Sequence, residues 1–216
     1  MKKLDGILFD LDGTLWDSSK EVTVSWNKTI KKYKEVNRIL TLQDIQGIMG
    51  LQVPGIAKKL FPELEEKKGI EIVTACCREE CDHLRMTGGE LFDGMKETIE
   101  KLAEKYPLFI VSNCLNGYIE SFLEFHQMGR FFKDFLSAEA TGLEKADNIT
   151  LIRKKYQLEH AVYLGDTGGD RKACEKSGTP FVLASYGFGE VVGDVWKVKK
   201  ISDFPDLIKQ IEERME

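Results

Sequence analysis

Four short apolar runs punctuate the chain, each ending on small or polar residues: "ILF" before Asp10, "LFIVSN" at 108–113, "AVYLGD" at 161–166 and "PFVLAS" at 180–185. Unbroken runs of this length read as strands buried on both faces, since a half-exposed strand would alternate. "DFLSAE" at 134–139 is a weaker candidate of the same kind. Between the runs the period becomes helical, with Ile99, Leu102 and Ala103 in one segment and Ile149, Ile152 and Tyr156 in another. This alternation predicts an α/β fold, a doubly wound parallel sheet covered by helices on both faces.

Residues 16–91 break the alternation, because no convincing buried strand occurs there. Ser18 followed by Glu21 has the capping-box pattern that opens a helix, and Val22, Trp26, Ile30 and Tyr33 give that helix an apolar face. Thr41 with Asp44 opens a second helix in the same way, while "GLQVPG" and "MTGGELFDG" read as turns and hinges. The expected organisation is an α/β core of residues 1–15 and 92–216 with an all-helical domain, 16–91, inserted after the first strand. The insertion would then stand above that strand's C-terminal end.

Composition narrows the classes of function. A chain of 216 residues, 42% hydrophobic and 31% charged, can bury a full core. No apolar run is long enough to span a bilayer, and "MKKLDGILFD" lacks the apolar region and cleavage site of a secretory signal. A cytoplasmic protein without a membrane partner is expected. A formal net charge of -5 with interspersed signs argues against a nucleic-acid partner but leaves anionic small substrates open. Five cysteines suit a reducing compartment. "CCREEC" places Cys77 and Cys81 on one helix face, yet no second cysteine pair exists and His83 is poorly spaced for a closed metal site. Buried thiols on a helix are expected instead. Nothing in the sequence sets the oligomeric state.

Ligands of parallel α/β sheets bind beyond the carboxyl ends of the strands, which is where the unusual polar residues fall. Asp10 and Asp12 follow the first strand, Ser112 ends the second, and Asp166 and Asp170 follow a later one. Singly, Asp12 with Gly13 reads as a turn, and Ser112 and Asp170 as helix caps. Together, four aspartates at one sheet edge would repel one another unless a divalent cation lay among them, and a small all-oxygen set suits Mg²⁺. Because Mg²⁺ commonly binds substrate phosphate too, the site points to phosphoryl transfer from a small phosphorylated metabolite. Ser112 can offer a hydroxyl and Lys145 a compact positive charge.

"DLDGT" at 10–14, the serine after "FIV", the lysine ahead of the last motif and "GDTGGD" at 165–170 resemble the four motifs of the haloacid dehalogenase-like hydrolases. The resemblance spans nearly the whole chain in the family's order. "DLDGTLWDS", the insertion after the first motif, "LFDGMKETIEKL" and "ASYGFG" are similar to the phosphoglycolate phosphatase-like branch. The third motif departs from the family, since Lys145 is followed by Ala146, Asp147 and Asn148 rather than by prolines, and Glu144 could pair with Lys145.

The resemblance implies a Mg²⁺-dependent phosphatase acting on a small, phosphoglycolate-like monoester through an aspartyl phosphate. Asp10 would be the nucleophile and Asp12 the general acid and base. Asp10, Asp166 and the Asp12 main-chain carbonyl would ligate the metal, with Asp170 joining directly or through water. Ser112 and Lys145 would hold the phosphoryl oxygens, with Thr14 and Asn113 in the same phosphate-binding set. Gly13 would allow the sharp turn, and Thr14 would set the aspartates by a local hydrogen bond. The insertion would be a mobile cap. Within it "IMGLQVPGIAKKL" (48–60), which Gly50, Pro54 and Gly55 mark as a loop, reads either as a specificity contact to the leaving group or as a plain helix connection.

Two other readings share these residues. A phosphomutase or phosphonate hydrolase on the same fold would need acid/base or amine chemistry from the cap, where Lys58, Lys59 and His83 are the candidates. A non-catalytic binding protein would be marked by loss of the nucleophile or metal carboxylates, and none is lost.

Overall fold

The structure, a computed structural model, describes residues 3–215. Its main sheet has six parallel strands, in the order β5 (Phe132–Ser137), β4 (Leu108–Ser112), β1 (Gly6–Phe9), β6 (Ala161–Gly165), β7 (Phe181–Ala184) and β8 (Trp196–Val198). The first, β1 (Gly6–Phe9), lies inside the sheet between two other strands, which explains its unbroken apolar run. Its side chains alternate across the sheet: Ile7 and Phe9 enter one core, and Leu8 enters the other.

Where a helical insertion alone was expected, two short strands also occur. β2 (Trp16–Asp17) and β3 (Glu90–Leu91) pair antiparallel and bring the two ends of the 16–91 segment together. Strands of two residues carry no periodicity, so the sequence could not show them. Between them lie α1 (Ser19–Ile30), α2 (Leu42–Gln46), α3 (Val53–Leu60) and α4 (Glu66–Thr87). α4 packs against α1 and α3, burying Trp26, Ile56, Ile72, Val73 and Cys76. The expected helix face at Val22, Trp26 and Ile30 is buried, while Tyr33 falls beyond the end of α1. Cys76, Cys77 and Cys81 are free buried thiols on α4, as expected.

Two local expectations need correcting. The Thr41–Asp44 capping box is present, but Ser18 does not cap α1 with its side chain, because its hydroxyl is engaged elsewhere. Residues 53–60, expected within a loop, form α3, since proline is well suited to a helix's first turn. The true loop before α3 is short and carries Gly50 at φ +78.

Downstream, α5 (Met95–Ala103) leads to β4 (Leu108–Ser112), α6 (Tyr118–Phe125) and β5 (Phe132–Ser137), which begins two residues ahead of "DFLSAE". The short α7 (Ala138–Thr141) precedes α8 (Lys145–Tyr156), β6 (Ala161–Gly165), α9 (Gly168–Ser177), β7 (Phe181–Ala184), β8 (Trp196–Val198) and α10 (Phe204–Glu213). α5 and α10 contribute to one core, through Ile99, Leu102, Phe204 and Ile208. α8 and α9 cover the opposite face through Ile149, Ile152 and Cys174. Both faces of the sheet are thus covered, and its C-terminal edge is left to carry the polar residues. No described helix is long and apolar enough to cross a membrane.

Candidate active site

Parallel pairing aligns the ends of β4, β1 and β6, so Ser112, Asp10 and Asp166 emerge at one edge. The Asp10 amide donates to the Leu164 carbonyl at 2.9 Å, which holds the chain after β1 in register. Asp170 joins them from the first turn of α9, where it completes a capping box with Thr167. Carboxylate oxygens of Asp10, Asp166 and Asp170 lie within 4.8 Å of one another, and all three residues are buried.

Lys145, the first residue of α8, is buried between two of these carboxylates. Its Nζ is 2.6 Å from Asp170 Oδ1 and 3.0 Å from Asp10 Oδ1, the second contact being an ion pair without hydrogen-bond alignment. Glu144, which could have paired with Lys145, pairs instead with Lys176 at 3.0 Å, and Lys145 faces the aspartates.

Three carboxylates against one ammonium leave two negative charges uncompensated in a buried space. The titration of the groups reflects that excess. Burial, reinforced by the Asp170 charge, holds Asp10 well above the usual carboxylate range despite Lys145. Burial, again with Asp170, raises Asp166 to about 7. Burial would lift Asp170 too, but Lys145 and the Thr167 donors win and hold it low. Lys145 stays charged because Asp10 and Asp170 outweigh its own desolvation.

The donor set fits a hard divalent cation. Asp10 Oδ1 and Asp166 Oδ1 are buried and accept no hydrogen bond among the described residues, and the surplus is two negative charges. Asp170 is the least available, since Lys145 engages one oxygen and Thr167 the other.

Glycine is required where the backbone passes this cluster. Gly13 has φ +72, and a Cβ there would sit 2.1 Å from Asp166 Oδ2. Gly187, in "ASYGFG", would place a Cβ 2.3 Å from the Gly13 carbonyl oxygen. This tail has a direct part in the site: the Phe188 amide donates to Asp166 Oδ2 at 2.8 Å, and Tyr186 donates to the Thr14 carbonyl at 2.8 Å.

Asp12 is held by residues that sequence reasoning did not single out for this site. Its Oδ1 accepts from Trp16 Nε1 at 2.9 Å, Ser18 Oγ at 3.0 Å and Tyr118 OH at 2.8 Å. Its Oδ2 accepts nothing from the described residues, so the carboxylate is locked with one oxygen available. Loss of surrounding water raises Asp12 to about 6, with the three donors pulling the other way.

Ser112 is buried at the end of β4. Asn113 Nδ2 donates to the Gly50 carbonyl at 2.8 Å, which ties the sheet edge to the loop before α3. Thr14 is buried with its hydroxyl unpaired, and the hydrogen bond expected from it to the aspartates is not formed. Of the cap residues considered for mutase or phosphonate chemistry, His83 Nε2 bonds Glu21 at 2.9 Å and Lys59 donates to the Gly47 carbonyl at 2.5 Å. Neither of these, nor Lys58, lines the cavity above Asp12.

That cavity lies between the sheet edge, at Asp12, Ser112 and Asn113, and the helices, at Trp26, Met49 and Leu51. Glu80 of α4 also lines it, buried, accepting a hydrogen bond from Trp26 Nε1. Burial, assisted by the Asp12 charge, pushes Glu80 from 4.5 up to about 8. A carboxyl raised by folding contributes stability that is complete below about pH 4.5 and is lost as the pH rises through about 8. Glu80→Gln is therefore expected to match the parent near the lower limit and to exceed it above the upper one, by on the order of 5 °C in unfolding temperature. Thermal unfolding across that range checks this, and a constant difference at every pH would contradict it.

The haloacid dehalogenase-like hydrolase family model matches residues 7–184. A phosphoglycolate phosphatase from Aquifex aeolicus is 26% identical over 212 residues, covering 93% of this chain and 90% of the relative. Another from Vibrio parahaemolyticus is 27% identical over 194 residues, covering 84% of each chain. The solved structure of a haloacid dehalogenase-like family hydrolase from Streptococcus pneumoniae has the same fold, with a TM-score of 0.80 at 23% identity over 95% of this chain and 99% of that one. A match across both the sheet and the inserted helices shows that the chain belongs to the haloacid dehalogenase-like hydrolases, on the branch similar to phosphoglycolate phosphatases.

Proposed function

We propose that the chain is a Mg²⁺-dependent phosphatase that hydrolyses a small phosphate monoester through a phosphoryl group carried on Asp10. The observation that carries this reading is the pairing of two differently tuned aspartates one residue apart. Asp10 sits among the buried carboxylates beside Lys145, while Asp12 stands outside them with one oxygen immobilised and the other open. One is placed as a nucleophile and the other as a proton carrier.

In the first step an Asp10 oxygen attacks phosphorus, the bond to the leaving oxygen breaks, and Asp12 gives that oxygen its proton. In the second, ionised Asp12 takes a proton from water, whose oxygen attacks phosphorus and frees the Asp10 carboxylate. A pKa of about 6 suits both roles, because protonated and ionised Asp12 are then both well populated near neutral pH. Lys145 and Ser112 would hold the phosphoryl oxygens, with Asn113 contributing from the same edge. Thr14, whose buried hydroxyl has no hydrogen-bond partner among the described residues, would join the same phosphate-binding set. Asp10, Asp166 and the Asp12 carbonyl would hold Mg²⁺, with Asp170 reached through water. Bound there, the ion would offset the surplus negative charge and lower the repulsion between Asp10 and the incoming phosphate.

Residues 16–91 would form the cap domain, joined to the core through the β2–β3 pair, and would shield the site from bulk water. Two of the three donors to Asp12, Trp16 and Ser18, lie at that junction.

The reading is tested by phosphate release from p-nitrophenyl phosphate with and without Mg²⁺, release only with the ion being expected. Asp12→Asn should retain stabilisation by Mg²⁺, since the ligand there is a main-chain carbonyl, but slow turnover by roughly 10²–10⁴-fold. A normal rate would show that Asp12 carries no proton.

A further inference from the structure

We propose that the cavity above Asp12 selects esters whose leaving group is a compact uncharged alcohol, contacted by the Glu80 carboxyl, and rejects leaving groups that bear a carboxylate. The proposal rests on the phosphatase reading and names its substrate class. It sets this chain apart from relatives named for phosphoglycolate, whose leaving group is an anion.

The first observation is the charge of the cavity wall. Its lining includes Val22, Ile48, Met49, Leu51, Val53 and Ile56, with Asp12 and Glu80 as the carboxylic acids and, among the described residues, no lysine, arginine or histidine. A carboxylate entering here would lose its water without meeting a counter-charge and would stand near two acids. Four basic residues of the helical layer are engaged elsewhere, His83 with Glu21, Lys59 with the Gly47 carbonyl, Arg38 with Asp44 and Lys32 with Glu79, and the layer's other described lysines and arginines do not line the cavity. Lys145 is held between Asp10 and Asp170, where the phosphoryl group would sit.

The second observation is Glu80 itself. It is 7% exposed, lies in the middle of α4 and has Trp26 Nε1 as its hydrogen-bond donor, with no cation in contact among the described residues. Such a carboxyl is most stable neutral, in keeping with its rise to about 8, and a neutral carboxyl both donates to and accepts from an alcohol hydroxyl. An ammonium is less well served. Ser112, Asn113 and Tyr118 offer it acceptors, but with Glu80 neutral and Asp12 protonated for the first step it would give up its water without meeting a counter-charge.

Size is the third constraint. The cavity has a volume of about 60 Å³, room for about four to six water-sized groups. A two- or three-carbon alcohol fits it, and a nucleoside does not.

The test compares kcat/KM, with Mg²⁺ present, for three esters of similar size: 2-hydroxyethyl phosphate (uncharged), phosphoethanolamine (cationic) and 2-phosphoglycolate (anionic). The uncharged ester is expected to lead each of the others by about 10-fold or more. A lead by phosphoglycolate or phosphoethanolamine, or equal values for all three, would overturn the proposal. So would hydrolysis of p-nitrophenyl phosphate alone. If no ester is hydrolysed, p-nitrophenyl phosphate included, the phosphatase reading fails and takes this proposal with it. Two variants sharpen the result. Leu51→Arg, at a wall residue 40% exposed, places a cation beside the cavity and should raise phosphoglycolate relative to 2-hydroxyethyl phosphate. Glu80→Gln keeps a neutral donor and acceptor and should stay within about 3-fold on the uncharged ester, whereas Glu80→Leu should lose about 10-fold. An unmoved ranking in the first variant, or equal losses in the second pair, would count against the assignment.

Discussion

Asp10→Asn protein is expected to fold normally and to release phosphate from any ester at least about 10⁴-fold more slowly than the parent. The amide preserves the shape of the side chain but lacks the charged oxygen that would attack phosphorus. Stability should respond in the opposite direction. Asp10 is held well above its ordinary pKa by burial and by Asp170, so an uncharged replacement removes part of a repulsive cluster. Without Mg²⁺ the variant should unfold at the parent's temperature or higher, and Mg²⁺ should raise that temperature less than it does in the parent. Parent-like turnover, in a preparation free of deamidated protein, would remove Asp10 from the chemistry.

The second large effect concerns Lys145. Lys145→Met takes away the one ammonium between Asp10 and Asp170 and leaves three buried carboxylates facing one another. Removing one partner of a buried ion pair costs about 3–5 kcal/mol, because the remaining charge has lost both water and partner. The variant should therefore unfold far more readily in EDTA, recover part of the loss with Mg²⁺, and turn over at least about 10²-fold more slowly. Thermal unfolding with and without the ion, alongside steady-state rates, separates the two consequences. A variant as stable and as active as the parent would show that Lys145 balances no charge in the site.

Much of this arrangement was legible in the sequence because strand ends announce themselves. The apolar runs before Asp10, Ser112 and Asp166 located the sheet edge, and parallel topology then brought residues distant in sequence together. Lys145 was harder to place, since a lysine among many carries no local signal, and the third motif lacks the family's prolines. What stayed hidden depended on contacts between elements. Ser18 matched a helix cap locally, but in the fold its hydroxyl meets Asp12 and Tyr118, the latter arriving from α6. Tertiary partners outbid the local one, which no spacing rule anticipates. Pro54 and Gly55 suggested a loop, although proline in a first turn is as consistent with the start of α3. Glu80 was the readable omission. It follows Val73, Cys76 and Cys77 on the buried stripe of α4 and precedes Leu84, so an acid at an apolar position stood in plain view.

A phosphoryl group carried by Asp10 can be captured directly. Enzyme mixed with p-nitrophenyl phosphate and Mg²⁺, quenched in acid during turnover and reduced with borohydride, should carry homoserine in place of aspartate at position 10. Sequencing of the peptide spanning residues 4–20 by mass spectrometry locates the change, and enzyme quenched without substrate should lack it. Homoserine at position 12 or elsewhere, or its absence while phosphate is being released, would contradict the mechanism.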